Sequence, residues 1–260
     1  MAKRPLIAID IGNTRIKLGE FSALEAEGLP APGRQLALPV EPWSAAPLGA
    51  WLPHEGEFLI ASVFRAATER LTGWLAEQRP NAAVRTLSFR DLPLEVDLEH
   101  PELAGLDRLA AAVGANRLRT PGRAAVVIDV GTAIKANLLD EQGVFRGGAI
   151  LPGLAMSARA MHEFTDLLPL LPYEELAEAP SAVGRSTAPA MRSGLFWGAV
   201  GAMKELIARL GGERDTVDVF LTGGAAPGVA KLLGPDVRYV PHLTLAGIAL
   251  ASTAAPGDDR

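Results

Sequence analysis

The sequence contains no cysteine. Disulfides and thiolate metal sites are therefore excluded, which fits a reducing compartment without requiring one. It also lacks any sustained run of Lys and Arg, and its formal net charge is −5. Nucleic acid is not expected as a main partner, because phosphate backbones are bound by clustered basic charge. No stretch of about 18 apolar residues runs without a charge, so no membrane span is expected. Residues 1–5 are basic and lead into an apolar run, but Asp10 interrupts that run too early for a secretory signal. A cytoplasmic protein with no membrane partner is expected.

Several chemistries are missing too. There is no G-x-x-x-x-G-K-[ST] phosphate loop. The glycines from Gly223 to Gly228 miss the dinucleotide fingerprint. Four histidines occur but none at His-x-x-x-His spacing, which with no cysteine argues against a zinc site. No G-x-S-x-G nucleophile elbow appears.

What is present is a chain of 260 residues, 48% apolar, enough for one large domain or two of about 120 residues. Residues 5–22 read as two strands joined by a turn at Gly12 and Asn13, both tolerant of positive φ. Ile7, Ile9 and Ile11 share one face, and Asp10 stands where the first strand meets the turn. Alone, this stretch reads first as an ordinary β-hairpin with a polar turn, and only second as a phosphate-binding loop. In the second reading, Asn13, Thr14 and Lys17 add donors to the backbone N–H groups. Further strands are expected near residues 34–38, 58–63, 83–87, 143–150 and 217–224. Helices are expected near 66–78, 102–118, 154–163, 187–210, 228–233 and 243–253.

Residues 120–123, Thr-Pro-Gly-Arg, break the pattern, and a domain boundary is placed there. Residues 124–133 then repeat the opening: an apolar strand, Asp129, Gly131 and the polar Thr132. Asp10 and Asp129 lie 119 positions apart, close to half the chain. The spacing implies duplication of a whole domain, 1–119 and 120–260. Three strand ends therefore carry the informative residues: Asp10-x-Gly12, Asp129-x-Gly131 and Thr222-Gly223-Gly224.

In this order the motifs resemble the acetate and sugar kinase/Hsp70/actin superfamily, and within it type III pantothenate kinase. The matching residues are Asp10, Gly12, Asn13 and Thr14; Gly105, Asp107 and Arg108; Asp129, Gly131, Thr132 and Ala133. Gly147, Gly148, Ile150, Pro152 and Gly153 follow, then Thr222, Gly223 and Gly224, and finally Leu243, Leu245 and Gly247.

The resemblance implies an α/β fold of two duplicated ribonuclease H-like domains with a nucleotide cleft between them. It implies ATP-dependent phosphorylation of pantothenate, the first step of coenzyme A biosynthesis, with magnesium and a monovalent cation (K⁺ or NH₄⁺). Asp10, Ile11, Gly12, Asn13, Thr14, Arg15, Ile16 and Lys17 would surround the phosphates, with Thr132, Gly223 and Gly224. Asp129 would hold the monovalent cation. Asp107 would be the general base, and Gly105, Leu106, Asp107 and Arg108 would bind pantothenate. Thr187 would reach pantothenate across a homodimer interface, with a helix N-cap as its plainer use. Phe196 and Trp197 are expected in core or interface, and His100 and His162 outside the chemistry.

Four positions depart from the family pattern. Lys135 and Asn137 stand where Thr-x-Asp is usual, Leu98 stands for a tyrosine, and Ala246 for an acidic residue. Lys135 could neutralise phosphate or replace the cation. These departures keep two alternatives in view: a non-catalytic or regulatory family member, and a kinase of another small hydroxyl substrate.

Overall fold

A computed structural model describes residues 4–22, 28–214 and 216–253. Internal contacts divide the chain into two units, Met1–Leu118 with His242–Arg260, and Arg119–Pro241. Residues 242–253, assigned to the second half from sequence, thus pack in the first unit.

The first unit opens with β1 (Leu6–Ile11), β2 (Arg15–Phe21) and β3 (Arg34–Pro39). A short helix α1 (Ala46–Trp51), β4 (Glu57–Ser62), α2 (Arg65–Gln78) and β5 (Ala83–Thr86) follow. The helix expected over 102–118 is broken. A 3₁₀ turn spans Pro101–Leu103, Ala104 is extended, and α3 runs Leu106–Leu118. The break moves the helix start from residue 102 to Leu106, and Gly105 to Arg108 open α3 as expected of its start.

The second unit holds β6 (Ala124–Val130), β7 (Ala133–Leu139), β8 (Phe145–Pro152) and α4 (Leu154–Glu163). Next come α5 (Thr187–Gly211), β9 (Val217–Thr222), α6 (Ala226–Leu233) and β10 (Val237–Tyr239). The three-residue β10 escapes a periodicity argument because it is too short to show one. The chain then returns to the first unit with α7 (Leu243–Leu250), shorter than the helix expected to residue 253.

The two sheets share one topology. In the first the order is β3-β2-β1-β4-β5, and in the second β8-β7-β6-β9-β10. In both, the first three strands are antiparallel and the last two join parallel to the first. The strand that begins each unit is therefore central and buried along its whole length. That explains why residues 6–11 and 124–130 read as near-continuous apolar runs.

Ile7, Ile9 and Ile11 lie with Ile16, Leu18, Phe58, Leu71 and Leu75 in the first core. Val126, Ile128, Val130 and Ile134 pack with Phe196, Val200 and Met203 of α5 in the second. Each such fully buried side chain contributes about 1.5–3 kcal/mol relative to exposure. Asp10 belongs to the other face of β1, with Ala8, because successive side chains alternate. Helix α7 packs against β1 and α3. Leu245 reaches the small Gly19, which pairs with Ala8, so small residues on that face make room for the helix.

Asp140 anchors the turn between β7 and β8. Burial pushes its carboxyl up. The Val144 N–H and the Arg146 guanidinium at 2.7 Å outweigh that and hold it below the usual range.

Candidate active site

The first hairpin places Asp10 one residue before the end of β1, 5% exposed. Lys17 is its cross-strand partner in the antiparallel register, and Lys17 Nζ lies 3.5 Å from Asp10 Oδ2. The Gly12 N–H donates to the Arg15 carbonyl at 3.0 Å, closing the turn. From outside, the Val40 N–H donates to the Thr14 carbonyl at 3.0 Å and pins the loop. Asn13, Thr14 and Arg15 are exposed. Ile11 and Ile16 are fully buried in the core, so of the expected phosphate loop they can offer only backbone groups.

The same unit brings Gly105, Leu106, Asp107 and Arg108 beside this strand end. The Val63 N–H, just past β4, donates to the Ile11 carbonyl at 3.0 Å. Val63 in turn packs against Gly105, where a Cβ would lie 3.5 Å from Val63 Cγ1. A Cβ on Gly105 would also meet Asp107 Oδ1 at 2.7 Å, so glycine there leaves the carboxylate its position. Asp107 Oδ1 accepts the Arg108 N–H at 2.8 Å. Arg108 is half-buried. Burial pulls its pKa down and the adjacent Asp107 pushes it back, leaving a net lowering. A guanidinium nonetheless stays charged at neutral pH. A helix start bearing a carboxylate and a half-buried guanidinium can accept a proton and bind a polar substrate.

The second hairpin mirrors the first. Asp129 lies one residue before the end of β6, and the Gly131 N–H donates to the Ala133 carbonyl at 3.2 Å. Thr132 is exposed in the turn. The cross-strand partner of Asp129 is Lys135, the same register that Lys17 holds against Asp10. The second turn is one residue shorter, so a repeat of 119 at the aspartates becomes 118 at the lysines. Counting along the chain at a fixed offset therefore misses this equivalence, which only strand pairing reveals.

Gly223 follows β9 with φ +103°, a conformation that favours glycine. A Cβ there would meet Asp129 Oδ1 at 2.5 Å and collide with the Val130 carbonyl. Gly224 is exposed in the turn, with open space around its Cα. Thr187 is the first residue of α5 and exposed. The cap position is Ser186, so Thr187 is not the N-cap. Phe196 is in the core and Trp197 is exposed at the surface. His242, which the sequence reading passed over, starts α7 in the left-handed conformation with φ 58°. Burial, then the charge of Lys17, lowers its pKa.

The residues present suit ATP better than they suit the monovalent cation. Two Asp-x-Gly hairpins offer exposed turn backbone and hydroxyls for phosphate. At Asp129, however, one carboxylate oxygen faces Gly223 and the other is 2.8 Å from Lys135 Nζ. A second positive charge about 4 Å from that ammonium would be repelled by about 4 kcal/mol at an effective dielectric of about 20. Among the described residues, no cluster of three or more His, Cys, Asp or Glu side chains could hold a metal ion. No helix among them is long and apolar enough to cross a membrane.

Among solved structures, the fold is similar to an activator of 2-hydroxyisocaproyl-CoA dehydratase from Clostridium difficile with bound ADPNP. The TM-score is 0.53 and the identity 13%, covering 95% of this chain and 93% of that one. It is also similar to a putative 2-dehydro-3-deoxygalactonokinase from Sinorhizobium meliloti, at TM-score 0.55 and 16% identity, covering 95% and 98%. In sequence, residues 6–209 match the family model for type III pantothenate kinase. The type III pantothenate kinase of Rubrobacter xylanophilus is 34% identical, spanning 94% of this chain and 95% of that protein. That of Synechococcus elongatus is 33% identical, spanning 93% and 94%.

Two five-stranded sheets of one strand order, each with an Asp-x-Gly hairpin at its centre, define the actin-like and sugar-kinase fold of two ribonuclease H-like units. Within that class, the chain belongs to the type III pantothenate kinase family.

Proposed function

We propose that this protein transfers the γ-phosphoryl group of ATP to the primary hydroxyl of pantothenate, giving 4'-phosphopantothenate and ADP at the start of coenzyme A biosynthesis. The observation that carries the reading is the placement of Asp107 and Arg108 beside the end of β1, next to the Asp10–Lys17 hairpin.

Phosphoryl transfer depends on positioning and on neutralising charge. In this reading the turn from Gly12 to Lys17 holds phosphate oxygens through backbone N–H groups, the Asn13 and Thr14 side chains and the Lys17 ammonium. Thr132, Gly223 and Gly224 add nucleotide contacts from the second unit. Asp107 accepts the proton of the substrate hydroxyl as its oxygen attacks phosphorus, while ADP leaves with the bond's electrons. Arg108 binds the polar body of pantothenate. Magnesium would enter bound to the ATP phosphates and would supply charge neutralisation there. The protein works in the cytoplasm as a homodimer, with Thr187 at its exposed helix start contributing to pantothenate binding from a neighbouring subunit.

The test is ADP release by the purified full chain, with and without pantothenate, with the product mass recorded. Pantothenate-dependent release and a phosphorylated product are expected. ADP release that ignores pantothenate across all potassium concentrations would sink the reading.

A further inference from the structure

We infer that the Lys135 ammonium stands in for the monovalent cation at Asp129, so that nucleotide binding needs no potassium or ammonium ion. This rests on the proposal that the second hairpin contributes to an ATP site.

Lys135 and Asp129 are directly opposed across β6 and β7, and their charged atoms are 2.8 Å apart. Their side chains are 16% and 12% exposed. The related pair in the first hairpin is looser, at 3.5 Å, and Lys17 is 42% exposed. Lys135 is therefore committed to its carboxylate, while Lys17 extends further into solvent. The other oxygen of Asp129 is flanked by Gly223, whose tight turn leaves no space for even a Cβ.

Charge balance points the same way. Asn137 lies on the same face of β7, two cross-strand pairs further from the turn, and is 1% exposed. It is a neutral amide. An added cation at Asp129 would meet the Lys135 ammonium already 2.8 Å from the carboxylate, and the two positive charges would repel. A primary ammonium carries one positive charge, as potassium does, and donates hydrogen bonds in fixed directions. Tethering it to β7 makes its occupancy independent of the salt outside.

The experiment measures the affinity of the full chain for a non-hydrolysable ATP analogue by calorimetry, at fixed magnesium and ionic strength. Choline chloride is exchanged for potassium chloride or ammonium chloride. The dissociation constant of the unaltered protein should change less than about twofold, and turnover with pantothenate should follow. Lys135→Thr, alone and with Asn137→Asp, should bind the analogue about tenfold more weakly in choline and recover in potassium. Circular dichroism checks that the variants fold. If they do not, the ion response of the unaltered protein decides alone.

A tenfold tightening of the unaltered protein by potassium would overturn the inference, and so would a folded Lys135→Thr indifferent to potassium. Nucleotide binding that ignores potassium, with no pantothenate turnover, would overturn the proposed function and leave this inference standing. No nucleotide binding in any salt would overturn both.

Discussion

Gly247 of α7 lies against the carbonyl oxygen of Ala110 in α3, so closely that a Cβ at residue 247 would collide with it. The contact is reciprocal: a Cβ on Gly114 would meet the Leu243 carbonyl at 2.8 Å. Two helices notched for each other hold the end of the chain in the first unit. The closing Leu243, Leu245, Gly247 motif is thus a packing device. Gly247→Ala should destabilise the protein by about 1–3 kcal/mol, the usual cost of overpacking a close contact. A urea or thermal melt would check this. An unchanged midpoint would remove the notch from the account.

Gly223→Ala addresses the second hairpin. The substitution forces a side chain into a positive-φ turn and against Asp129 and Val130. Analogue affinity is expected to fall by about tenfold or more, equivalent to at least ~1.4 kcal/mol. Gly224→Ala, with open space around it, should fold normally. Calorimetric titration of the two variants separates backbone strain from ligand contact.

Asp107→Asn keeps the shape of the α3 start but removes the base. Turnover should fall by about 10²–10⁴-fold while KM for pantothenate changes little. Steady-state kinetics would show this, and full turnover in the variant would take Asp107 out of the chemistry.

Arg108→Ala should act on KM instead. A charge-assisted hydrogen bond contributes roughly 1.5–3 kcal/mol, so KM for pantothenate should rise about 10–100-fold. KM for ATP should stay near its original value, since Arg108 is assigned to the other substrate.

His242 predicts a pH effect on stability. Burial and Lys17 lower its pKa below the ordinary 6.5. Just below pH 6.5 the unfolded chain takes up a proton that the folded one resists, so stability falls as pH drops through that value. The Asp140 carboxyl is also lowered, but its contribution is lost only below the ordinary carboxylate value of 3.8. His242→Asn tolerates the left-handed backbone and removes the titration. The variant should lose less stability than the unaltered protein between pH 7.5 and 5.5, as measured by urea midpoints.

Much of this was readable from residues alone. Strand positions followed from apolar runs, because both opening strands are central and buried on both faces. The duplication followed from Asp10 and Asp129, and the motifs in their order placed the chain in its family. These signals are local, so the sequence carries them openly. Three matters were settled only in three dimensions. Helix α7 joins the first unit because Gly247 of α7 and Gly114 of α3 let the two helices approach closely, a contact more than 100 residues apart in sequence. The break at Ala104 starts α3 at Leu106, where a helix running unbroken from residue 102 had been expected. And Lys135, which looks like a departure when the chain is read in line, is the counterpart of Lys17. A turn shortened by one residue shifts the numbering, but the antiparallel ladder restores the pairing.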